Sequence, residues 1–87
     1  MSLYVNFDPD SEEANVVFKK IIDAVVRNIG RENLFTLEQL RSAHPELAEM
    51  PAEWVKLHLD TLTDWLFFFK VEDNYNTYYK WCYEPQK

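Results

Sequence analysis

Two histidines, one cysteine and fifteen carboxylates are the side chains here with the capacity for metal, nucleophilic or acid–base chemistry. Their spacing supports none of it. His44 and His58 fall on different predicted helices with no cysteine pair nearby, so the ligand spacing of a zinc site is missing. Each reads as an ordinary surface or boundary histidine. Cys82 has no histidine close in sequence to take its proton and reads as a plain semi-buried thiol. Gly30 is the only glycine, which leaves no glycine-rich loop to cradle a phosphate. The carboxylates gather mostly at predicted helix starts, where capping accounts for them. The sequence therefore predicts no catalytic residue, no metal ligand and no cofactor, and a non-enzymatic protein.

Contact chemistry is better represented. Nine of the fourteen aromatic side chains (six Phe, five Tyr, three Trp) lie in residues 65–83, as two short runs around a polar break. Asp73-Asn74-Tyr75-Asn76 supplies residues that tolerate left-handed turn geometry, so the runs predict a β-hairpin. In the first strand Phe67, Phe69 and Val71 share one face, with Phe68, Lys70 and Glu72 on the other. In the second, Tyr79, Trp81 and Tyr83 alternate against Tyr78, Lys80 and Cys82. One face alone can cover a core, and Phe67, Phe69, Tyr79 and Trp81 are the expected core set. Phe68, Tyr75 and Tyr78 are then left outside or at the tip. They are the candidate protein-contact residues, because grouped exposed aromatics mark interface hot spots. Two other readings stand beside this one. Phe68 is buried by the N-terminal strand in the first. In the second the tyrosines stack on bases, and the lack of basic neighbours counts against that.

The hairpin must be positioned by what precedes it. Leu3, Val5 and Phe7 alternate with polar residues as in a short strand, and Asp8-Pro9-Asp10 breaks the pattern. Asp10 or Ser11 then caps a helix in which Ala14, Phe18, Ile21, Ile22, Val25 and Ile29 recur at helical spacing up to Gly30. Leu34-Phe35 is a short extended piece. Thr36-Leu-Glu-Gln39 is a capping signature that opens a brief second helix with Leu37, Leu40 and Ala43 inward. Its end is set by His44, since a residue before proline avoids helical geometry. Residues 45–50 form a connector with room for one turn of helix. Pro51 suits the first position of a third helix, with Trp54, Val55, Leu59, Leu62, Trp65 and Leu66 as its apolar stripe.

Composition bounds the rest. Eighty-seven residues suffice for one core, and 47% apolar with 16% aromatic residues places the chain in the globular class. No apolar run approaches the roughly 20 residues of a membrane span. The first residues lack the basic and long apolar regions of a signal peptide, and a single cysteine gives no sign of an oxidising compartment, so the expectation is a cytoplasmic protein. Met1-Ser2-Leu3 is compatible with a cloning remnant and carries no weight. The net charge of −6 sets the chain against nonspecific nucleic-acid binding, which requires phosphate neutralisation. No small-molecule substrate suggests itself.

Helix, extended piece, helix, helix and two-stranded hairpin is an order that resembles the winged helix-turn-helix superfamily. The resemblance covers about residues 11–83 and rests on element order rather than a specific motif. The expected fold is thus α+β and winged-helix-like, a single domain with an N-terminal arm (1–10), a helical part (11–66) and a hairpin wing (67–83). In that class the third helix enters the major groove and the wing touches the backbone. The resemblance makes Lys56, Thr61, Lys70 and Lys80 the candidate DNA contacts. Charge speaks against them. Segment 51–66 sets Lys56 against Glu53, Asp60 and Asp64 and contains no arginine, the commonest base reader. The wing sets Lys70 and Lys80 against Glu72, Asp73 and Glu84, and two strand lysines commonly serve to blunt an edge. The basic residues that do cluster, Lys19, Lys20, Arg27 and Arg31, lie on the first helix and just past it, behind the recognition element.

The first expectation is a protein-interaction module that binds another protein or itself through the aromatic hairpin. The second is a winged-helix DNA-binding regulator that dimerises to focus its lysines. A third is an acidic inhibitor that mimics nucleic acid with a face of Glu46, Glu49, Glu53, Asp60 and Asp64.

Overall fold

The computed structural model describes residues 7–83. Ser11 opens the first helix, its hydroxyl accepting the Ala14 N–H at 3.1 Å while Glu12 and Glu13 set negative charge in the first turn. This helix, α1 (Glu12–Ala24), runs straight into a π-helical turn, Val25–Ile29. The Gly30 N–H returns to the Val25 carbonyl at 2.7 Å, and Gly30 takes a φ of 101°, which suits glycine. The predicted stop at Gly30 stands, but the last turn is wider than an α-helix. The short strand expected over residues 3–7 lies outside the described residues apart from Phe7, whose ring meets Trp54 and His58.

α2 (Leu37–Ser42) carries the capping box its sequence announces. Thr36 Oγ1 accepts the Gln39 N–H at 3.1 Å and Gln39 Oε1 accepts the Thr36 N–H at 2.9 Å. Four helices form among the described residues rather than three, because the expected connector is itself helical: α3 (Pro45–Glu49). Pro45 occupies its first turn and His44 Nδ1 caps it by accepting the Glu46 N–H at 3.2 Å. Arg41 Nη2 ties α3 to α2, donating to the Ala48 and Met50 carbonyls at 3.1 and 2.8 Å. α4 (Ala52–Asp64) buries Val55, His58, Leu59 and Leu62 along one stripe.

The end of α4 aims the hairpin. Phe67 N–H reaches the Leu62 carbonyl at 2.9 Å and Leu66 N–H the Thr63 carbonyl at 3.0 Å, the paired bonds of a Schellman turn. Its left-handed position, usually glycine, is held by Leu66 at φ 69°. Leu66 is 71% exposed and Trp65 is exposed too, so neither joins the core stripe expected of them.

β1 (Phe68–Glu72) and β2 (Thr77–Trp81) pair antiparallel, with Phe68 opposite Trp81, Lys70 opposite Tyr79 and Glu72 opposite Thr77. Asp73 Oδ1 closes the turn by accepting the Tyr75 and Asn76 N–H groups at 2.8 and 2.7 Å. Phe35 adds a single-residue bridge on the far side of β2, exchanging both backbone bonds with Tyr79 at 2.9 and 2.8 Å. The core beneath comes from Val17, Phe18, Ile21 and Val25 of the first helical segment, Leu40, Leu47, the α4 stripe, Phe35, Phe68 and Tyr79. The fold is α+β: helices followed by a C-terminal two-stranded hairpin.

The first strand faces opposite to expectation. Phe68 is 1% exposed and packs edge-to-face on Phe35 and Trp81, whereas Phe69 and Val71 stand 42% and 40% exposed on the outer face. Phe67 is used by the Schellman turn and is partly buried, stacked on Tyr83 at 4.7 Å. Three consecutive phenylalanines satisfy either phase of a strand, and the turn at Leu66 selects the phase that puts Phe68 inward. Tyr79 and Trp81 lie inward as expected.

Candidate protein-contact surface

Because opposed residues in an antiparallel pair share a face, Phe69 with Lys80 and Val71 with Tyr78 make the outer side of the hairpin. Lys80 Nζ lies 6.0 Å from the centre of the Phe69 ring. Tyr75 at the tip is 90% exposed. Of the three expected contact residues, Tyr75 and Tyr78 therefore lie at the tip and on the outer face. Phe68 does not, since the β1 phase buries it. Phe69 and Val71 take its place, and the sequence held the signal for them in the alternative phase of the Phe-Phe-Phe run.

The other side of the hairpin is organised by Asp60 on α4. Its carboxylate accepts from Lys56 Nζ at 2.8 Å and from the Tyr79 hydroxyl at 2.8 Å, with Lys70 Nζ at 3.5 Å. Lys70 also rides over the Tyr79 ring, 5.7 Å from its centre. Lys70 thus points toward α4 and not outward with Lys80, as the register requires. Burial pushes the Asp60 carboxyl up, but the Lys56 and Tyr79 hydrogen bonds and the charge of both lysines outweigh it and hold the group below its ordinary value. Burial, joined by the hydrogen bond to Asp60 and the nearby negative charge, drives the Tyr79 hydroxyl well above its ordinary value.

Of the candidate DNA contacts, Lys56 and Lys70 converge on Asp60, which opposes their charge. Thr61 donates its hydroxyl to the Leu57 carbonyl at 2.9 Å on its own helix. Lys80 stands apart on the opposite face of the sheet. The fold does not gather the four on one surface. The Lys56–Asp60 spacing of four was legible as a helix pair, whereas the approach of Lys70 to the same carboxylate depends on hairpin phase.

The residues considered for catalysis have structural partners. His44 caps α3. Cys82 Sγ lies 3.2 Å from the Leu66 carbonyl. His58 is fully buried among the rings of Phe7, Phe18 and Trp54, with Nδ1 2.8 Å from the Trp54 carbonyl and Nε2 without a partner. Desolvation lowers its pKa, only partly opposed by that backbone bond. A separate groove of about 340 Å³ lies between the first helical segment and the hairpin base, lined by Ile22, Val26, Arg31, Phe67, Trp81 and Tyr83. The Arg31 guanidinium sits 5.4 Å from the Trp81 ring centre there. Among the described residues no helix is long and apolar enough to cross a membrane.

No protein-family model, curated protein or solved structure matches this chain.

Proposed function

We propose that this protein is a non-enzymatic binding module that contacts another protein, or a second copy of itself, through the outer face and tip of its hairpin. The observation that carries the reading is the exposed pair Phe69 and Val71 beside the half-buried Tyr78, with the exposed Tyr75 beyond them. Exposed apolar side chains grouped on one sheet face lose water favourably when a partner covers them. The element order, with Phe35 bridging β2, supports a winged-helix-like frame for this surface.

DNA binding is the second reading, favoured by that element order alone. Asp60 counts against it, because the two lysines nearest the presumed groove face already have a carboxylate. The acidic-mimic reading loses support in the same way. Glu46 is tied to Lys20 at 2.6 Å and Asp60 to its lysines, so its carboxylate face is interrupted by cations.

The test pairs the intact chain with a Phe69→Ser/Tyr78→Ser variant in co-purification and chemical cross-linking. The expected result is a defined protein species, a second copy included, that is lost with the variant at unchanged fold. An association unaffected by the double substitution, or binding to a mixed DNA pool that falls steeply with salt, overturns the proposal.

A further inference from the structure

The contact surface has an edge as well as a face, and the edge is selective. β2 is flanked on both sides, by β1 and by Phe35, whereas among the described residues β1 is paired on one side only. The hydrogen bonds Cys82 N–H to Phe67 O and Asp73 N–H to Asn76 O fix the phase of the ladder. The bonded pairs are therefore Phe69 with Lys80 and Val71 with Tyr78, so the backbone groups of Phe68, Lys70 and Glu72 point to the open edge. Phe68 is buried, which leaves Lys70 and Glu72 as the accessible stretch.

Resting on the protein-contact reading above, we infer that β1 pairs antiparallel with β1 of a second copy, about a two-fold axis passing through Val71. Such an axis keeps the outer faces of the two hairpins continuous. Only three centres are available to a strand this short. An axis at Lys70 sets lysine against lysine and requires the buried edge of Phe68. An axis at Glu72 sets glutamate against glutamate and runs Lys70 into the Asp73–Asn76 turn. The axis at Val71 sets Lys70 against the partner's Glu72 and Glu72 against the partner's Lys70, with each pair exchanging both backbone bonds. Lys70 thereby becomes the register key. A lysine turned toward the core side of an edge strand opposes indiscriminate pairing because its charge would be covered. Asp60 answers that charge within the chain, and of the three registers only the one centred on Val71 adds a second carboxylate, the partner's Glu72, directly opposite it. On the outer face Val71 meets the partner's Val71 across the axis, and the exposed Phe69 side chains flank it.

The experiment uses the intact chain in three forms. Light scattering over a concentration series up to about 1 mM, a range that reaches weak association, is expected to show the mass rising toward twice the 10.5 kDa of one chain. Glu72→Pro removes an outward N–H while leaving the β1–β2 ladder intact, and is expected to stay at the mass of one chain. In a Cys82→Ser background, Val71→Cys is expected to form a disulfide-linked dimer on mild oxidation, since facing Cα atoms in a non-bonded pair lie about 4.5 Å apart, within disulfide reach. Tyr75→Cys, more exposed but off the axis, is expected to link several-fold more slowly. One-chain mass throughout, or Tyr75→Cys linking as fast as Val71→Cys, overturns the inference. A different protein that binds the monomer and is lost with Phe69→Ser/Tyr78→Ser refutes this register and leaves the contact reading standing. Neither kind of association refutes both.

Discussion

Truncating Phe68 and Phe69 to alanine in separate proteins measures the phase of β1 directly. Phe68 is 1% exposed and packed between the rings of Phe35 and Trp81, so Phe68→Ala removes a fully buried ring and leaves a cavity in the core. Such truncations cost about 3–5 kcal/mol. Phe69 is 42% exposed, with Lys80 Nζ 6.0 Å from its ring centre, so Phe69→Ala is expected to cost about 1 kcal/mol or less. For a domain of this size each kcal/mol moves Tm by about 4–8 °C, which separates the two variants widely. Urea unfolding followed by circular dichroism, at concentrations where the chain is monomeric, provides the assay. Total stability of small domains is about 5–15 kcal/mol, so Phe68→Leu, expected to cost about 1–2 kcal/mol, guards against a variant that does not fold. Phe69→Ala costing as much as Phe68→Ala would refute the register and, with it, the outer-face surface and the open-edge geometry.

Three further outcomes follow from the same structure. Desolvation holds the His58 pKa below its ordinary value in the fold, whereas the unfolded chain takes up a proton at the ordinary value. Its contribution is therefore complete above pH 6.5 and is lost as pH falls below that, and His58→Leu should flatten this limb of a stability–pH curve. Tyr79→Phe should cost about 1–2 kcal/mol through the lost bond to the Asp60 carboxylate, and Asp60→Asn somewhat more because Lys56 and Lys70 lose their counter-charge. A double-mutant cycle showing no coupling between them would dismiss Asp60 as the hub. Leu66→Gly should stabilise by about 0.5–1 kcal/mol, the relief of left-handed strain being partly offset by unfolded-state entropy. A destabilised Leu66→Gly protein would show that the exposed leucine does more than fill a turn.

Local chemistry made much of this protein legible in its sequence. Capping by Ser11 and by Thr36 with Gln39, the stop at Gly30, the break before Pro45 and the turn at Asp73–Asn76 are each set by residues within a few positions of one another. Val55, Leu59 and Leu62 of the α4 stripe and the inward placing of Tyr79 and Trp81 follow from periodicity, whereas the exposure of Trp65 and Leu66 and the burial of His58 do not. Whether residues 45–50 would be helical was undecided locally, because five residues cannot hold a helix alone. The Arg41 clamp on two carbonyls and the burial of Leu47 settle it.

The sequence alone determined a run of helices followed by a hairpin rich in aromatic residues, and a charge ill suited to a phosphate backbone. Tertiary structure decided which aromatics those are and where the lysines point. A run of three phenylalanines carries no phase of its own, and one residue of slip exchanges the two faces of a strand. The Schellman turn at Leu66 fixes that slip, and from it come the burial of Phe68, the exposure of Phe69 and Val71, and the turn of Lys70 toward Asp60.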